Sequence, residues 1–267
     1  MKRSCLILGS GRSGTSLTAG VLAGAGYYFG DTPLPATDAN PKGYFESREV
    51  EWVNDQLVRT MLAPTRWERL WAWLNPPPVQ PTFNEEKPWY MTRWLALVPP
   101  RRRPYVHLTI RPRIEALVDR APYCFKDPRF CYTLPAWRPY LRADTVFLVV
   151  FREPAVTAAS ILKEVARETY LQGVTLTFAQ AVQVWTYMYR HILEKHRRQG
   201  EWLFMHYDQV MTPAGLDRIA QFVGAEVDRS FPDPHLTRTH SSESVPRETA
   251  RLYETLCWLA DYRPVLA

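Results

Sequence analysis

The sequence has little that would assign it to a membrane, secreted or metal-binding class. No apolar run approaches the roughly 18–20 residues that a membrane-spanning helix needs. The run CLIL after Lys2 and Arg3 is shorter than the roughly 7–15 apolar residues of a signal peptide. The four cysteines among 267 residues have neither C-x-x-C spacing nor histidine partners at zinc-finger intervals. These absences predict a soluble cytoplasmic protein with buried free thiols.

The charge of the chain is moderate. Charged residues make up 22% and hydrophobic residues 46% of the sequence, as in an ordinary globular protein. The net charge of +6 suits an anionic ligand without establishing one, and we expect no nucleic-acid partner. The chain is long enough to bury a substantial core, and no repeat or low-complexity tract interrupts it. We therefore predict a single domain over residues 1–267.

Apolar runs alternate with stretches of helical periodicity along the chain. The run RSCLILG ends in glycine as a buried strand would, and the apolar spacing from Thr15 to Ala25 is helical. This alternation predicts an α/β fold of three layers, with a mostly parallel sheet between helices. The further predicted strands are 121–125, 145–151 and 202–207, and the further predicted helices are about 47–62, 155–167 and 178–196.

Residues 64–105 interrupt this alternation with an insert rich in tryptophan and proline. Trp67, Trp71, Trp73, Trp89 and Trp94 alternate there with the segments NPPP and VPPRRRP. Two interpretations stay open at this point. The insert is either a lid over a binding site or a proline-rich connector whose aromatic residues pack against one another.

The stretch GSGRSGTS, residues 9–16, follows the first predicted strand and fits two phosphate-binding patterns. It matches the P-loop pattern of nucleoside-triphosphate-binding proteins, G-x-x-x-x-G-K-[ST], except that Thr15 stands in the position of the lysine. It also spells G-x-G-x-x-G, but Asp31 follows a poor strand and Arg12 is bulky for a dinucleotide loop. A turn with no ligand is a third reading. Arg12 and the hydroxyls of Ser13, Thr15 and Ser16 at a helix N-terminus favour an oxyanion.

A second candidate anion site lies in VFREPAVTAAS, residues 150–160. Arg152 follows a buried strand, and Ser160 lies on the helix that begins near Pro154. An arginine at the carboxyl end of a strand and a hydroxyl on the next helix could hold a second phosphate. By itself the pattern is weak evidence, because an arginine at the end of a strand is more often the partner in a surface salt bridge.

Together these motifs resemble the sulfotransferases that use 3′-phosphoadenosine 5′-phosphosulfate (PAPS), in particular the bacterial type with motifs similar to protein-tyrosine sulfotransferases. FKDPR (125–129) resembles that family's Lys-Asp-Pro element, and MHYDQVMTPAGLDRIAQFVG (205–224) resembles a later family segment. The four elements occur in the family's order over most of the chain. The resemblance implies the P-loop-like sulfotransferase fold and release of 3′,5′-bisphosphoadenosine. Residues assigned to the nucleotide by this resemblance are Gly11, Arg12, Ser13, Gly14, Thr15, Ser16, Arg152, Ser160 and Tyr207.

The resemblance also implies catalytic roles. Arg12 would stabilise the charge that grows on the bridging oxygen, where many relatives use lysine, and Lys126 would supply a second cation. Glu46 is the candidate general base, although a carboxylate near the start of a helix has a structural explanation too. His107 and His206 are rival bases. No metal is implied, because the acids and histidines lack ligand spacing.

Several questions stay open at the level of sequence. Some relatives have an arginine where this chain has Glu164, for which Lys163 could compensate, and HLTRTHSSES is a weak match to their basic C-terminal loop. The alternatives to a sulfotransferase are an ATP-dependent kinase or other NTP-using transferase and a non-catalytic nucleotide-binding protein. The acceptor could be a small molecule, a glycan or a peptide, and the sequence does not define the oligomeric state.

Overall fold

A central parallel β-sheet organises the chain. The computed structural model describes residues 1–36, 42–63, 90–236 and 239–264. Within these residues the strands are β1 (Cys5–Leu8), β2 (Cys124–Lys126), β3 (Val146–Phe151) and β4 (Glu201–His206). They pair in the order β2-β1-β3-β4, and every pair is parallel. Strands β1, β2 and β3 are buried along their whole length, as expected for a parallel sheet that is covered on both faces.

The side chains of each strand divide between two hydrophobic cores. In β1, Leu6 and Leu8 belong to one core, whereas Cys5 and Ile7 belong to the other. This alternation follows from the two-residue period of a strand. Because both faces of the sheet carry apolar side chains, helices cover both of them, and the predicted three-layer α/β fold is confirmed.

Helices connect the strands. They are α1 (Thr15–Leu22), α2 (Arg48–Leu62), α3 (Arg111–Asp119), α4 (Phe130–Trp137), α5 (Pro154–Arg167), α6 (Phe178–His191), α7 (Tyr207–Val210), α8 (Pro213–Val223) and α9 (Arg247–Ala260). Helices α1 and α8 pack on one face of the sheet, and α2, α4, α6 and α9 pack on the other. The N-termini of α2 and α5 are capped by Ser47 and Glu153, whose side chains accept hydrogen bonds from the first turn.

Most predicted elements agree with the structure to within a few residues. The second predicted strand, 121–125, starts later and ends later, at Cys124–Lys126. The sequence predicts Tyr207 as the last residue of the fourth strand, but Tyr207 begins helix α7. The predicted helix 178–196 ends as a π-helical turn, Ile192–His196. All four cysteines are buried and free, as predicted.

The predicted insert at 64–105 lies only partly within the described residues. Residues 90–105 are described, and Tyr90–Leu95 forms a 3₁₀ helix that leaves Trp94 and Leu95 buried. The other tryptophans of the insert lie outside the described residues. Among the residues described, no helix is long and apolar enough to cross a membrane.

Candidate active site at the carboxyl edge of the sheet

The carboxyl ends of the four strands bring the predicted residues to one edge of the sheet. β1 leads into the loop of residues 9–14, β2 ends at Lys126, β3 is followed by Arg152, and β4 is followed by Tyr207. Parallel strands place these ends side by side, and ligands of open α/β sheets bind at this edge. These residues are spread along the sequence from the loop at 9–14 to Tyr207, and the parallel topology brings them together.

The loop between β1 and α1 contains residues with left-handed backbone conformations. Gly14 has φ 96° and Arg12 has φ 66°, both in the left-handed region. A Cβ at Gly14 would lie 2.6 Å from the ring of Tyr207, and one at Gly11 would lie 2.5 Å from the ring of Trp94. The two glycines therefore allow aromatic side chains to pack directly on the loop.

Arg12 extends from this loop to helix α5. Its Nε donates a hydrogen bond to Ser160 Oγ at 3.2 Å and lies 3.2 Å from Glu164 Oε2. Glu164 is only 3% exposed, and its other oxygen accepts a hydrogen bond from Tyr170 at 3.0 Å. Burial raises the pKa of Glu164, and the charge of Arg12 opposes that rise. Glu164 departs from the pattern of the family that the sequence resembles, but no sequence spacing identifies it as the partner of Arg12.

Lys126 and Glu46 form a buried ion pair next to the loop. Lys126 Nζ contacts Glu46 Oε1 and also donates a hydrogen bond to Ser16 Oγ at 3.1 Å. Glu46 precedes Ser47, the N-cap of α2, so its position is not explained by the first turn of that helix. Burial raises the pKa of Glu46 to about 7, although Lys126 acts in the opposite direction. Such a carboxyl group can take up a proton near neutral pH.

A cavity of about 670 Å³ is lined by residues from both candidate anion sites, although the buried Ser13 is not among them. We call it the Arg152 cavity; its lining includes Arg12, Ser16, Arg152, Ser160 and Tyr207, together with Gly14, Thr15, Lys42, Lys163 and Arg167. The guanidinium of Arg152 lies 4.5 Å from the centre of the Tyr207 ring, and its Nη2 donates to the carbonyl of Thr239 at 3.3 Å. Burial lowers the pKa of Arg152, so an anion in this cavity would meet a partly desolvated cation.

A smaller cavity of about 190 Å³ adjoins the first. We call it the Trp94 cavity; its apolar walls come from Leu34, Pro35, Tyr44, Trp94, Pro128 and Tyr170. Glu46 and Lys126 line it as well, and the two cavities share Arg12, Thr15, Ser16 and Glu164. The loop after β1 thus separates a cation-rich cavity from one with aromatic walls.

Comparison with known proteins supports the fold. Two solved structures illustrate the match over nearly the whole chain. The sulfotransferase domain from the Synechococcus PCC 7002 olefin synthase is 17% identical with a TM-score of 0.53, and the match covers 96% of each chain. The sulfotransferase domain from the curacin biosynthetic pathway is 16% identical with a TM-score of 0.54, and the match covers 98% of this chain and 99% of that one. This chain has the sulfotransferase fold. No family model matches the sequence, and no curated protein matches it either.

The rival residues lie elsewhere in this sulfotransferase fold. His206 caps α7, its ring is stacked on Tyr262 at 3.9 Å between centroids, and it lines neither cavity. His107 is exposed and contacts Thr109. Asp31, considered for a dinucleotide ribose, pairs instead with Arg120. The Trp94 cavity also contains three residues that the sequence motifs do not assign to a site, namely Tyr44, Tyr170 and Arg129, although Arg129 ends the FKDPR element. In the part of the chain that is described, no cluster of acids, histidines and cysteines could hold a metal ion.

Proposed function

We propose that this protein is a cytoplasmic sulfotransferase that transfers the sulfuryl group of PAPS to a hydroxyl, or an amine, of its acceptor. The supporting observation is that Arg12 and Arg152, from two separate motifs, line one cavity at the carboxyl edge of a sulfotransferase fold. PAPS carries a phosphosulfate at one end of its adenosine and a 3′-phosphate elsewhere on it, so it needs two anion sites at once.

The side chains of the Arg152 cavity suit this donor. The start of α1 offers backbone N–H groups and the hydroxyls of Thr15 and Ser16, which are appropriate for the 5′-phosphosulfate. Arg152 would bind the 3′-phosphate, and Tyr207 lies against its guanidinium. Ser160, expected beside Arg152, is hydrogen-bonded to Arg12 and could therefore connect the two anion sites.

Three residues would divide the catalytic work. Glu46 lines the Trp94 cavity and would accept the proton of the acceptor as its oxygen or nitrogen attacks sulfur. PAPS supplies the sulfuryl group, and 3′,5′-bisphosphoadenosine leaves with the electron pair of the broken S–O bond. Lys126 and Arg12 would stabilise the negative charge that develops on that leaving oxygen. Because Lys126 pairs with Glu46, it would also hold the base in place.

The test is a calorimetric titration of the protein with 3′,5′-bisphosphoadenosine in buffer that contains EDTA. We expect binding at one site per chain without metal. ATP is titrated in parallel with and without Mg²⁺. Magnesium-dependent binding of ATP, with no binding of the bisphosphate, would support an NTP-using transferase instead. Binding of the bisphosphate with no transfer from labelled PAPS to any acceptor would support a non-catalytic nucleotide-binding protein.

A further inference from the structure

We propose that the Trp94 cavity receives a small uncharged phenol or alcohol, with a body of about one ring, as the acceptor. The inference deepens the proposed function and depends on it for the reaction. It rests on three observations about this cavity: its size, its aromatic walls, and the way its charged side chains are already paired with one another.

The size of the cavity limits the acceptor. The Trp94 cavity has a volume of about 190 Å³. An engineered apolar cavity of about 150 Å³ holds benzene, whereas sites for drug-sized ligands have about 300–1,000 Å³. A single ring with a short substituent therefore fills the Trp94 cavity. A disaccharide or a folded peptide segment would not enter it.

The walls of the cavity favour an apolar body. Trp94 is 7% exposed, and its ring packs against the backbone of Gly11. Tyr44, Tyr170 and Leu34 provide further apolar surface. Aromatic side chains contact a planar ring by offset stacking or edge-to-face packing, which contributes about 0.5–1.5 kcal/mol for each pair beyond the buried area. A sugar would leave several hydroxyls without hydrogen-bond partners against such walls.

The charged side chains of the cavity neutralise one another. Lys126 pairs with Glu46, Arg12 pairs with Glu164, and Arg129 Nη2 lies 3.3 Å from Glu51 Oε1. Lys126, Glu164, Arg129 and Glu51 are each at most 6% exposed, whereas Glu46 and Arg12 are 11% and 25% exposed.

A charged acceptor would have to compete with these pairs. An anion would face the carboxylates of Glu46, Glu51 and Glu164, and a cation would face their partners. Either charge would be desolvated without a dedicated counterion, which is costly in a protein interior. Among the described residues that line the cavity, the remaining cation is Arg48, which is exposed to solvent, so salt screens its charge. The balanced lining therefore selects a neutral acceptor.

The position of Glu46 orients such an acceptor. Ser16 lines both cavities, and Lys126 contacts both Ser16 and Glu46. An acceptor hydroxyl beside Glu46 therefore lies near the side of the Trp94 cavity that adjoins the donor site. In the transfer, the acceptor oxygen forms a bond to sulfur and its proton passes to the Glu46 carboxylate. The S–O bond to the 5′-phosphate breaks, and its electron pair leaves with 3′,5′-bisphosphoadenosine.

The experiment measures binding of four probes to the full chain by calorimetry, with and without 3′,5′-bisphosphoadenosine. The probes are 4-methylphenol, 4-hydroxybenzoate, tyramine and maltose, which represent a neutral, an anionic, a cationic and a sugar acceptor. We expect 4-methylphenol to bind at least tenfold more tightly than each of the others. We also expect the labelled sulfuryl group of PAPS to be transferred to the hydroxyl of 4-methylphenol. Tightest binding of any other probe would overturn the inference.

A pair of variants locates the probe in the cavity. Leu34→Trp places a larger side chain in the Trp94 cavity, and Leu108→Trp makes the same change at a site that is 83% exposed. We expect Leu34→Trp to weaken binding of 4-methylphenol at least tenfold while affinity for the bisphosphate and the circular dichroism spectrum stay unchanged. Leu108→Trp should alter neither affinity. Unchanged binding of 4-methylphenol in Leu34→Trp would contradict the assigned site.

The two proposals fail in different ways. If the bisphosphate does not bind but 4-methylphenol does, the proposed donor is wrong and the chemistry assigned to the cavity stands. If the bisphosphate binds but 4-methylphenol does not, the acceptor class is wrong and the proposed function stands.

Discussion

Replacing Arg152 with alanine tests how the proposed donor is recognised. The side chain lies in the Arg152 cavity, its Nη2 donates to the carbonyl of Thr239 at 3.3 Å, and burial lowers its pKa. A hydrogen bond to a charged group contributes about 1.5–3 kcal/mol, and tenfold in affinity corresponds to about 1.4 kcal/mol. We therefore expect Arg152→Ala to weaken binding of 3′,5′-bisphosphoadenosine by about 10- to 150-fold.

The assay is calorimetry with two ligands that differ only in the 3′-phosphate. Adenosine 5′-phosphate lacks that group, so its affinity should fall less than about threefold in Arg152→Ala, a change of about 0.6 kcal/mol. Arg111→Ala removes the same side chain from an exposed i,i+4 pair with Glu115 and serves as the control. Equal losses for both nucleotides in Arg152→Ala would show that Arg152 does not bind the 3′-phosphate.

Four further predictions concern the base, the partner of Arg12, the loop and the core. Burial raises the pKa of Glu46 to about 7, so kcat/KM should increase as pH rises through about 7. Glu46→Gln should abolish turnover and leave nucleotide affinity unchanged. An active Glu46→Gln variant would exclude Glu46 as the general base. Glu164→Gln removes a buried negative charge beside Arg12, so we expect the bisphosphate to bind about 3- to 10-fold more tightly while kcat falls. An unchanged affinity together with an unchanged kcat would contradict the idea that Glu164 positions Arg12. Gly14→Ala places a Cβ 2.6 Å from the Tyr207 ring and should weaken nucleotide binding at least tenfold by calorimetry, whereas Gly24→Ala, which meets nothing within 4 Å, should not. Burial lowers the pKa of His196 to about 3, so the folded state favours the neutral imidazole. The folded state therefore loses stability as pH falls below the unfolded pKa of about 6.5. In urea titrations, the unfolding free energy of the natural protein should drop between pH 7 and pH 5 by about 2 kcal/mol more than that of His196→Gln.

The sheet and its cation-rich edge could be predicted from the sequence because their signals are local. The run CLIL and the run VFLVVF are continuously apolar, and each is followed by its motif, so strand, turn and helix follow one another without interruption. The parallel topology then determines where these residues lie, because the carboxyl ends of parallel strands place Lys126, Arg152 and the loop at the same edge of the sheet.

The pairing of charges could not be predicted in the same way. Glu164 meets Arg12 because α5 passes beside the loop after β1, and no spacing in the sequence encodes that contact. Trp94 lies in a short 3₁₀ helix before a proline-rich segment, and no local sequence pattern indicates that its ring packs on Gly11. Tyr207 follows an apolar run, and this pattern predicts a strand residue. Its position at the start of α7 depends on the cap formed by His206.

A crystal structure of the protein with 3′,5′-bisphosphoadenosine tests the central claim most directly. The account predicts one nucleotide in the Arg152 cavity, with its 5′-phosphate at the start of α1 beside Arg12 and its 3′-phosphate on the guanidinium of Arg152. A nucleotide bound elsewhere, or one that contacts the loop while Arg152 contacts no phosphate, would contradict the account.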